Sequence, residues 1–320
     1  MRIATFNVQN MRLRMRDGAP RLDGARDRDA DEDAGADALD PIDRRLTAAV
    51  LRAADADVVA LQEVFDQATL DHFHDAWLAP AGAAPYPFRH CLPGNDGRGL
   101  DVALMSRLPP LRIQSHAAET PRSLGVAPPP GIDPDAPLFR RDCLEARIGA
   151  LTLFVCHFKA PWPDPERAAA LRRAEAAGLR RLIERRFAEP ARALWLALGD
   201  MNEPAGLSAT GALAPLADGF CVDLLERLPE DERWTWASPD GRGAGRPDAM
   251  LASPALAARW PQARPRIIRA GLDRLAGPPA RSGPPRFAQV GPHRPHASDH
   301  AAVVIDLPGA ETQTAPEGAP

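Results

Sequence analysis

Four short clusters of metal- and proton-handling residues stand out: Thr5-Phe6-Asn7, Leu61-Gln62-Glu63, Gly199-Asp200-Met201-Asn202 and Ser298-Asp299-His300. Each falls at the end of a predicted strand. Taken singly, each has an ordinary reading. Asn7 suits a turn, Glu63 the entry to a helix, Gly199-Asp200 a tight exit, and Asp299-His300 a solvent-facing pair. Taken in order, they supply what hydrolysis of a phosphate ester needs: oxygen ligands for a hard divalent cation, a histidine base, and carboxylates to orient it. Glu63 follows the apolar run Val58–Leu61, where a bare buried carboxylate is costly and must be paired, metal-bound or solvated. With Asn7, and with Asp299 free to lie near them, it forms a candidate site for Mg²⁺.

Asp200 and Asn202 lie two residues apart after an apolar strand, so both point into one cleft, where they can orient an attacking water and hold a phosphoryl oxygen. His300 can take a proton from water near neutral pH if a carboxylate fixes its tautomer. Asp248, in Arg246-Pro247-Asp248, is the candidate for that role. His157 ends the apolar run Leu151–Cys156 and reads either as a structural strand histidine or as a group that contacts phosphate or protonates a leaving oxygen. Lys159, the only lysine in the chain, reads equally as a phosphate contact or as a surface residue. Arg98 is a further candidate for binding phosphate bidentately, with Asp101 either orienting it or starting the next strand. No G-x-G-x-x-G opens a helix and no G-x-S-x-G occurs, which argues against a dinucleotide fold and a serine nucleophile.

The elements that must position these residues follow from hydrophobic patterning. Strands are predicted at Ile3–Asn7, Val58–Gln62, Val102–Ser106, Cys143–Ile148, Leu151–Phe158, Ala193–Leu198, Ala249–Ser253, Arg266–Arg269 and Ala301–Leu307. Several are continuous apolar runs, as expected of strands covered on both faces. Helices are predicted at Pro41–Ala54, Phe65–Leu78 and Pro165–Phe187. The last has Asp164 as its cap, Pro165 in its first turn and Leu171, Leu179, Leu182, Ile183 and Phe187 inward. Its arginines, Arg172 among them, read as a solvated face. Segment Arg12–Asp40 reads as a long mobile insertion, Pro121–Pro137 and Leu275–Pro295 as irregular loops, and residues 308–320 as a disordered tail. Candidate site residues fall in both halves, so residues 1–307 read as one domain.

The ordered set resembles the endonuclease/exonuclease/phosphatase superfamily, the deoxyribonuclease I-like fold. The resemblance rests on Asn7, Gln62-Glu63, His157-Phe158-Lys159, Gly199-Asp200-Met201-Asn202, Arg246-Pro247-Asp248 and Ser298-Asp299-His300, and it spans nearly the whole chain. It implies a four-layered α/β sandwich, two mixed β-sheets packed face to face with helices outside, and a site at one end. It implies that Glu63, Asn7 and Asp299 hold the cation, that His300 supported by Asp248 activates water, that Asp200 and Asn202 position nucleophile and phosphate, and that His157 assists at the phosphate. Two departures separate the chain from the AP endonucleases. Gln9 stands where they carry an acidic residue, and the only tyrosine, Tyr86, lies away from their site tyrosine.

The formal net charge of −4 argues against coating nucleic acid through bulk charge. The four cysteines show no C-x-x-C spacing; Cys143 and Cys156 read as small core residues. No run is long and apolar enough to span a bilayer and no apolar segment follows Met1-Arg2-Ile3, so the expectation is a cytoplasmic protein. Nothing points to a protein partner. The leading expectation is therefore a divalent-metal-dependent phosphodiesterase, a nuclease first. A phosphatase or phosphodiesterase for a small phosphorylated metabolite or lipid headgroup comes second, and a non-enzymatic binding module last.

Overall fold

The computed structural model describes residues 1–26, 36–203, 206–237, 243–276 and 285–312. Two six-stranded sheets form its centre. The first runs in the order Arg266–Ile268, Ala302–Asp306, Arg2–Met11, Val58–Val64, Asp101–Ser106, Phe88–Cys91. The second runs Val222–Asp223, Asp248–Ala252, Trp195–Asp200, Leu151–His157, Cys143–Ile148, Arg112–Gln114. Each has one parallel pair at its middle, Arg2–Met11 with Val58–Val64 and Leu151–His157 with Trp195–Asp200, flanked on both sides by antiparallel strands. A parallel pair needs a crossover, and a helix supplies it each time: Asp40–Ala54 in the first sheet, Pro165–Arg186 in the second.

Strand alternation sorts the side chains into layers. Ile3, Val58, Ala60, Leu104, Leu153, Val155, Leu196, Leu198, Met250 and Val303 meet between the sheets. On the outer face of the first sheet, Ala4, Phe6, Val8, Val59 and Leu61 pack with Leu46, Val50 and Leu51 of the helix. On the outer face of the second, Phe154, Cys156, Trp195 and Ala197 pack with Leu179, Leu182 and Ile183. The result is the four-layered sandwich, with the two predicted core cysteines, Cys143 and Cys156, in the outer apolar layer.

The same alternation has a consequence for function. Continuing the inward positions to the strand ends puts Asn7 and Gln62 of one sheet, and His157, Asp200 and Asp248 of the other, in the gap between the sheets. In the second sheet these three form one row, because Asp200 is registered with His157 on one side and with Asp248 on the other. Gly199 makes the close approach possible: it has φ 138°, and a Cβ there would collide with the Cys156 carbonyl.

Two expectations about loops change. The segment after the first strand is not simply a mobile insertion: Leu13–Arg16 and Ala19–Leu22 form a hairpin, and Asp23 and Arg26 are buried, while residues 27–35 lie outside the described residues. Arg44, fully buried in the first helix, explains the order. Its guanidinium donates to the carbonyls of Val8 at 2.6 Å, Gln9 at 2.7 Å, Gly24 at 2.6 Å and Asp23 at 2.5 Å. Asp43 does a matching job, accepting from Ala25 N at 3.0 Å, Arg294 Nε at 2.8 Å and His296 N at 3.0 Å, which fixes the chain that leads into Ser298. The stretch 308–312 is also ordered rather than part of a disordered tail, with Ala310 buried and accepting from Ala150 N at 3.0 Å; residues 313–320 lie outside the described residues.

Smaller differences concern helices. The predicted helix Phe65–Leu78 starts only at Gln67, capped by Asp66, and finishes in a π turn over His74–Leu78. Pro121–Leu124, read as loop, is a short helix with a capping box from Thr120 and Ser123. Arg172 is buried, not solvated; it donates to the Lys159 carbonyl at 3.1 Å. Beside it, fully buried Glu175 accepts from Arg140 N and Lys159 N, both at 2.8 Å, and so fixes the chain just after His157. Among the described residues no helix is long and apolar enough to cross a membrane.

Replacing Arg44 with Met keeps the apolar stem and strands four carbonyls. Urea denaturation should show a loss on the order of 3 kcal/mol. Burial pushes the Glu175 carboxyl up to about 7 from an unfolded value of 4.5, despite its two backbone donors. A raised folded value means that this group's contribution is full below pH 4.5 and is lost as pH rises through about 7. Glu175→Gln should therefore gain stability relative to the parent between pH 5 and pH 8, by up to roughly 3 kcal/mol. Paired melts at the two pH values check this; an unchanged difference would refute it.

Candidate functional site

The carboxylate of Asp200 lies at the centre of the gap. Its Oδ2 is 3.1 Å from Asn7 Nδ2, 3.4 Å from His157 Nε2 and 3.8 Å from His300 Nε2, while its Oδ1 accepts from Asn202 N at 2.9 Å. Both sheets thus contribute to one cluster. Burial pushes this carboxyl up to about 6, with Asp248 adding to the rise and His300, Asn202 and Asn7 opposing it.

His300 is held on its other side. Its Nδ1 is 2.9 Å from Asp248 Oδ2, and the same oxygen accepts from the Thr235 hydroxyl at 2.6 Å. That arrangement directs Nε2 toward Asp200. Burial works against a charge on His300, but the fields of Asp248, Asp299 and Asp200 outweigh it and hold the imidazolium well above the ordinary histidine range. His157 goes the other way. Burial, reinforced by Arg141 and by His300, drives its protonation well below that range, so it is neutral. Its Nδ1 is buried without a hydrogen-bond partner among the described residues.

The metal-ligand candidates gather at the first sheet's end. By alternation Glu63 belongs on the outer face. A register shift between Gln62 and Val64, with Glu63 at φ 67°, turns it toward the gap instead. Non-glycine backbone in that region is strained, and the strain is held by Asn10 N donating to Glu63 Oε2 at 2.8 Å. Asn7 donates from Nδ2 to Glu63 Oε1 at 3.4 Å, besides its bond to Asp200, and its Oδ1 accepts from Gln9 N at 3.0 Å. Flipping the amide would set oxygen against two carboxylates. As placed, Asn7 donates to Glu63 and Asp200 and bridges them, with its oxygen turned to Gln9 N. Asp299 accepts from Trp236 Nε1 at 3.2 Å, and Gln9 Oε1 accepts from the Asp299 backbone N at 3.0 Å.

Glu63 and Asp299 face the same cavity, of about 540 Å³, as His157, Asp200, Asn202 and His300. Two oxygen donors beside open space fit a hard cation that keeps several waters. The ligand atoms of Asp200, Asp248 and His300 also lie within 4.8 Å of one another. Asp248 Oδ2 is taken up by His300 and Thr235, while its Oδ1 is buried without a hydrogen-bond partner among the described residues. Glu63 and Asp299 form one candidate set for a cation, and Asp200, Asp248 and His300 the other.

Two candidates sit elsewhere. Arg98 is exposed and bonded to Asp96 by its Nε at 3.2 Å and Nη2 at 3.3 Å, outside the cavity lining. Lys159 turns its ammonium back onto the carbonyls of Ala160, at 2.7 Å, and Trp162, so it braces its own loop and does not line the cavity. Asp101 starts its strand and accepts from Gly94 N at 3.0 Å. Sequence reading missed Thr235 and Trp236, which come from a two-strand ribbon, Trp236–Ala237 with Ala244–Gly245, laid against His300. It also missed buried Arg141, which donates to the Phe158 carbonyl at 3.0 Å, pairs with Asp96 at 3.2 Å and sets the field at His157. The only sequence signals were the Trp234-Thr235-Trp236 cluster and the basic pair before Asp142.

Comparison with known proteins gives the same frame. No curated protein matches the chain in sequence. Among solved structures, truncated TDP2 of Caenorhabditis elegans aligns with a TM-score of 0.54 at 14% identity, covering 95% of this chain and 96% of that one. A mannosyl-6-phosphatase of Bacteroides thetaiotaomicron aligns at 0.53 and 14% identity, over 96% and 98% of the two chains. A 3'-5' exonuclease of Neisseria meningitidis aligns at 0.51 and 19%, over 96% and 99%. Identities this low speak to the fold alone. In sequence, residues 4–300 match the Endonuclease/Exonuclease/phosphatase family, a span that begins in the first strand and ends on His300. A match over nearly the whole chain, with its motifs converging at one end of the sandwich, makes this chain a member of that family.

Proposed function

We propose that the chain is a divalent-cation-dependent phosphodiesterase acting on nucleic acid. The observation that carries this reading is the convergence on one cavity of a buried carboxylate, Asp200, two histidines, His157 and His300, and two further carboxylates, Glu63 and Asp299; the charges around them pull the two histidines in opposite directions. Environments that push paired groups apart are a mark of acid–base sites.

Glu63 and Asp299 would hold Mg²⁺ or Mn²⁺, which when bound supplies Lewis-acid polarisation of a phosphoryl oxygen and offsets the charge of those carboxylates. With Asp299 offset, His300 keeps Asp248 as its fixed anion and takes a proton from water at Nε2. Asp200 and Asn202 orient that water. Neutral His157 donates from Nε2 to a phosphate oxygen, and Asn7 keeps Glu63 and Asp200 at their separation. Thr235 holds Asp248, and through it the ring of His300. Arg98 and Lys159 do not line the cavity; Arg98 pairs with Asp96 and Lys159 braces its own loop.

A second reading, hydrolysis of a small phosphorylated metabolite or lipid headgroup, is favoured by the cavity's size, which suits a small ligand, and by the net charge of −4.

Cleavage of plasmid and of short oligonucleotides should require Mg²⁺ or Mn²⁺ and stop in EDTA. His300→Ala and Glu63→Gln should each lower turnover by about a hundredfold or more while leaving the melting temperature near that of the parent. Retained cleavage in either variant would sink the mechanism. Hydrolysis of small phosphate esters without any oligonucleotide cleavage would select the second reading.

A further inference from the structure

Of the large hydrophobic side chains in the described residues Trp162 is the most exposed, at 73%, yet it lines the same cavity as His157, Asp200 and His300. An exposed indole gains by packing against an apolar face. The backbone that carries this one is held. Lys159 Nζ bonds the Trp162 carbonyl, Glu175 fixes Lys159 N at 2.8 Å, Arg172 holds the Lys159 carbonyl at 3.1 Å, and Asp164 caps the next helix by accepting from Arg167 N at 3.1 Å. The chain's only lysine therefore presents a tryptophan rather than a charge.

The cavity wall around it is of one character. Ala160, Pro161, Ala244, Gly245 and Pro247 line it without a polar side-chain atom, and the second tryptophan, Trp236, has its Nε1 committed to Asp299. The polar groups lie with the phosphoryl chemistry, in Glu63, Asp200, Asn202, Asp299 and the two histidines. A flat aromatic face stacks on an indole and lies on proline and alanine carbon without needing a side-chain hydrogen bond from them. A base inside a duplex is already stacked on its neighbours, so the ring must come from an unpaired nucleotide.

We propose that Trp162 is a specificity-determining residue on which an unpaired nucleobase next to the reacting phosphate stacks, so that the preferred substrate is a single strand or a frayed end. This rests on the nucleic-acid reading above. Stacking on an aromatic side chain tolerates any base, so the preference is for unpaired structure rather than sequence.

The test is steady-state cleavage, with Mg²⁺, of a short single-stranded oligonucleotide and of the same chain carrying base-free residues around the cleaved phosphate. Fluorescence anisotropy of both chains bound to the inactive His300→Ala protein gives affinity without turnover. The parent should favour the base-bearing chain through KM. Trp162→Ala should raise KM for that chain about tenfold and leave kcat within about twofold, so that the preference falls toward one; Trp162→Phe should restore most of it. An equal loss on both chains would make Trp162 a backbone contact or a structural residue and overturn the proposal, as would no change. Cleavage of both chains without preference by the parent overturns the stacking proposal alone. If the parent neither binds nor cleaves either chain, the nucleic-acid reading fails first and this proposal with it.

Discussion

A carboxylate buried between two sheets is the constraint on which this molecule is built. Asp200 sits 2% exposed at the end of a central strand, where an unpaired charge would cost several kcal/mol. Asn7 from the opposite sheet and Asn202 from its own turn donate to it, and the rings of His157, from the neighbouring strand, and His300, from the chain leading into the first sheet, lie at 3.4 Å and 3.8 Å. Each of those groups requires its own strand to end at the right height. The packing of the two sheets and the geometry of the cluster are therefore one problem. A slip of one residue in either parallel pair would move Asn7 or His157 to the outer face.

The supports behind this cluster share a logic. Arg44 and Asp43, neighbours on one helix, share the segment 23–25, and beyond it Arg44 ties down the backbone after Asn7 while Asp43 ties down the backbone before Ser298. On the other sheet Glu175 and Arg172, again from one helix, tie down the chain after His157. The crossover helices do more than cover apolar faces. Each carries buried ionic groups that fix the irregular chain beside a strand end that lines the gap, where sheet hydrogen bonds no longer reach. That placement accounts for why such costly groups lie inside otherwise apolar layers.

Much of this was legible in the sequence. Continuous apolar runs gave the central strands, and the short motifs at their ends gave the cluster, because strand parity and chain direction carry both into one gap. What was not legible depends on contacts between distant segments. Glu63 reaches the gap only through a bulge, which a period-two pattern does not announce. Phe88–Cys91 and Arg112–Gln114 are edge strands, too short and too polar to show a period. The order in residues 12–26 comes from Arg44, which is far along the chain. Lys159, beside His157, reads in sequence equally as a phosphate contact or a surface residue; its ammonium finds two carbonyls within three residues, which no spacing announces.

The two histidines show how one cavity can prepare two chemistries with the same side chain. Both rings are buried, and burial alone would leave both neutral. What separates them is the sign of the nearest fixed charge. His157 has the Arg141 guanidinium nearby, so it has every reason to stay neutral and donate only a hydrogen bond. His300 lies among three carboxylates, Asp248, Asp299 and Asp200, whose fields outweigh its burial and raise its affinity for a proton. The same ring on two neighbouring parts of one gap is thus driven in opposite directions by the charges that the fold sets beside it.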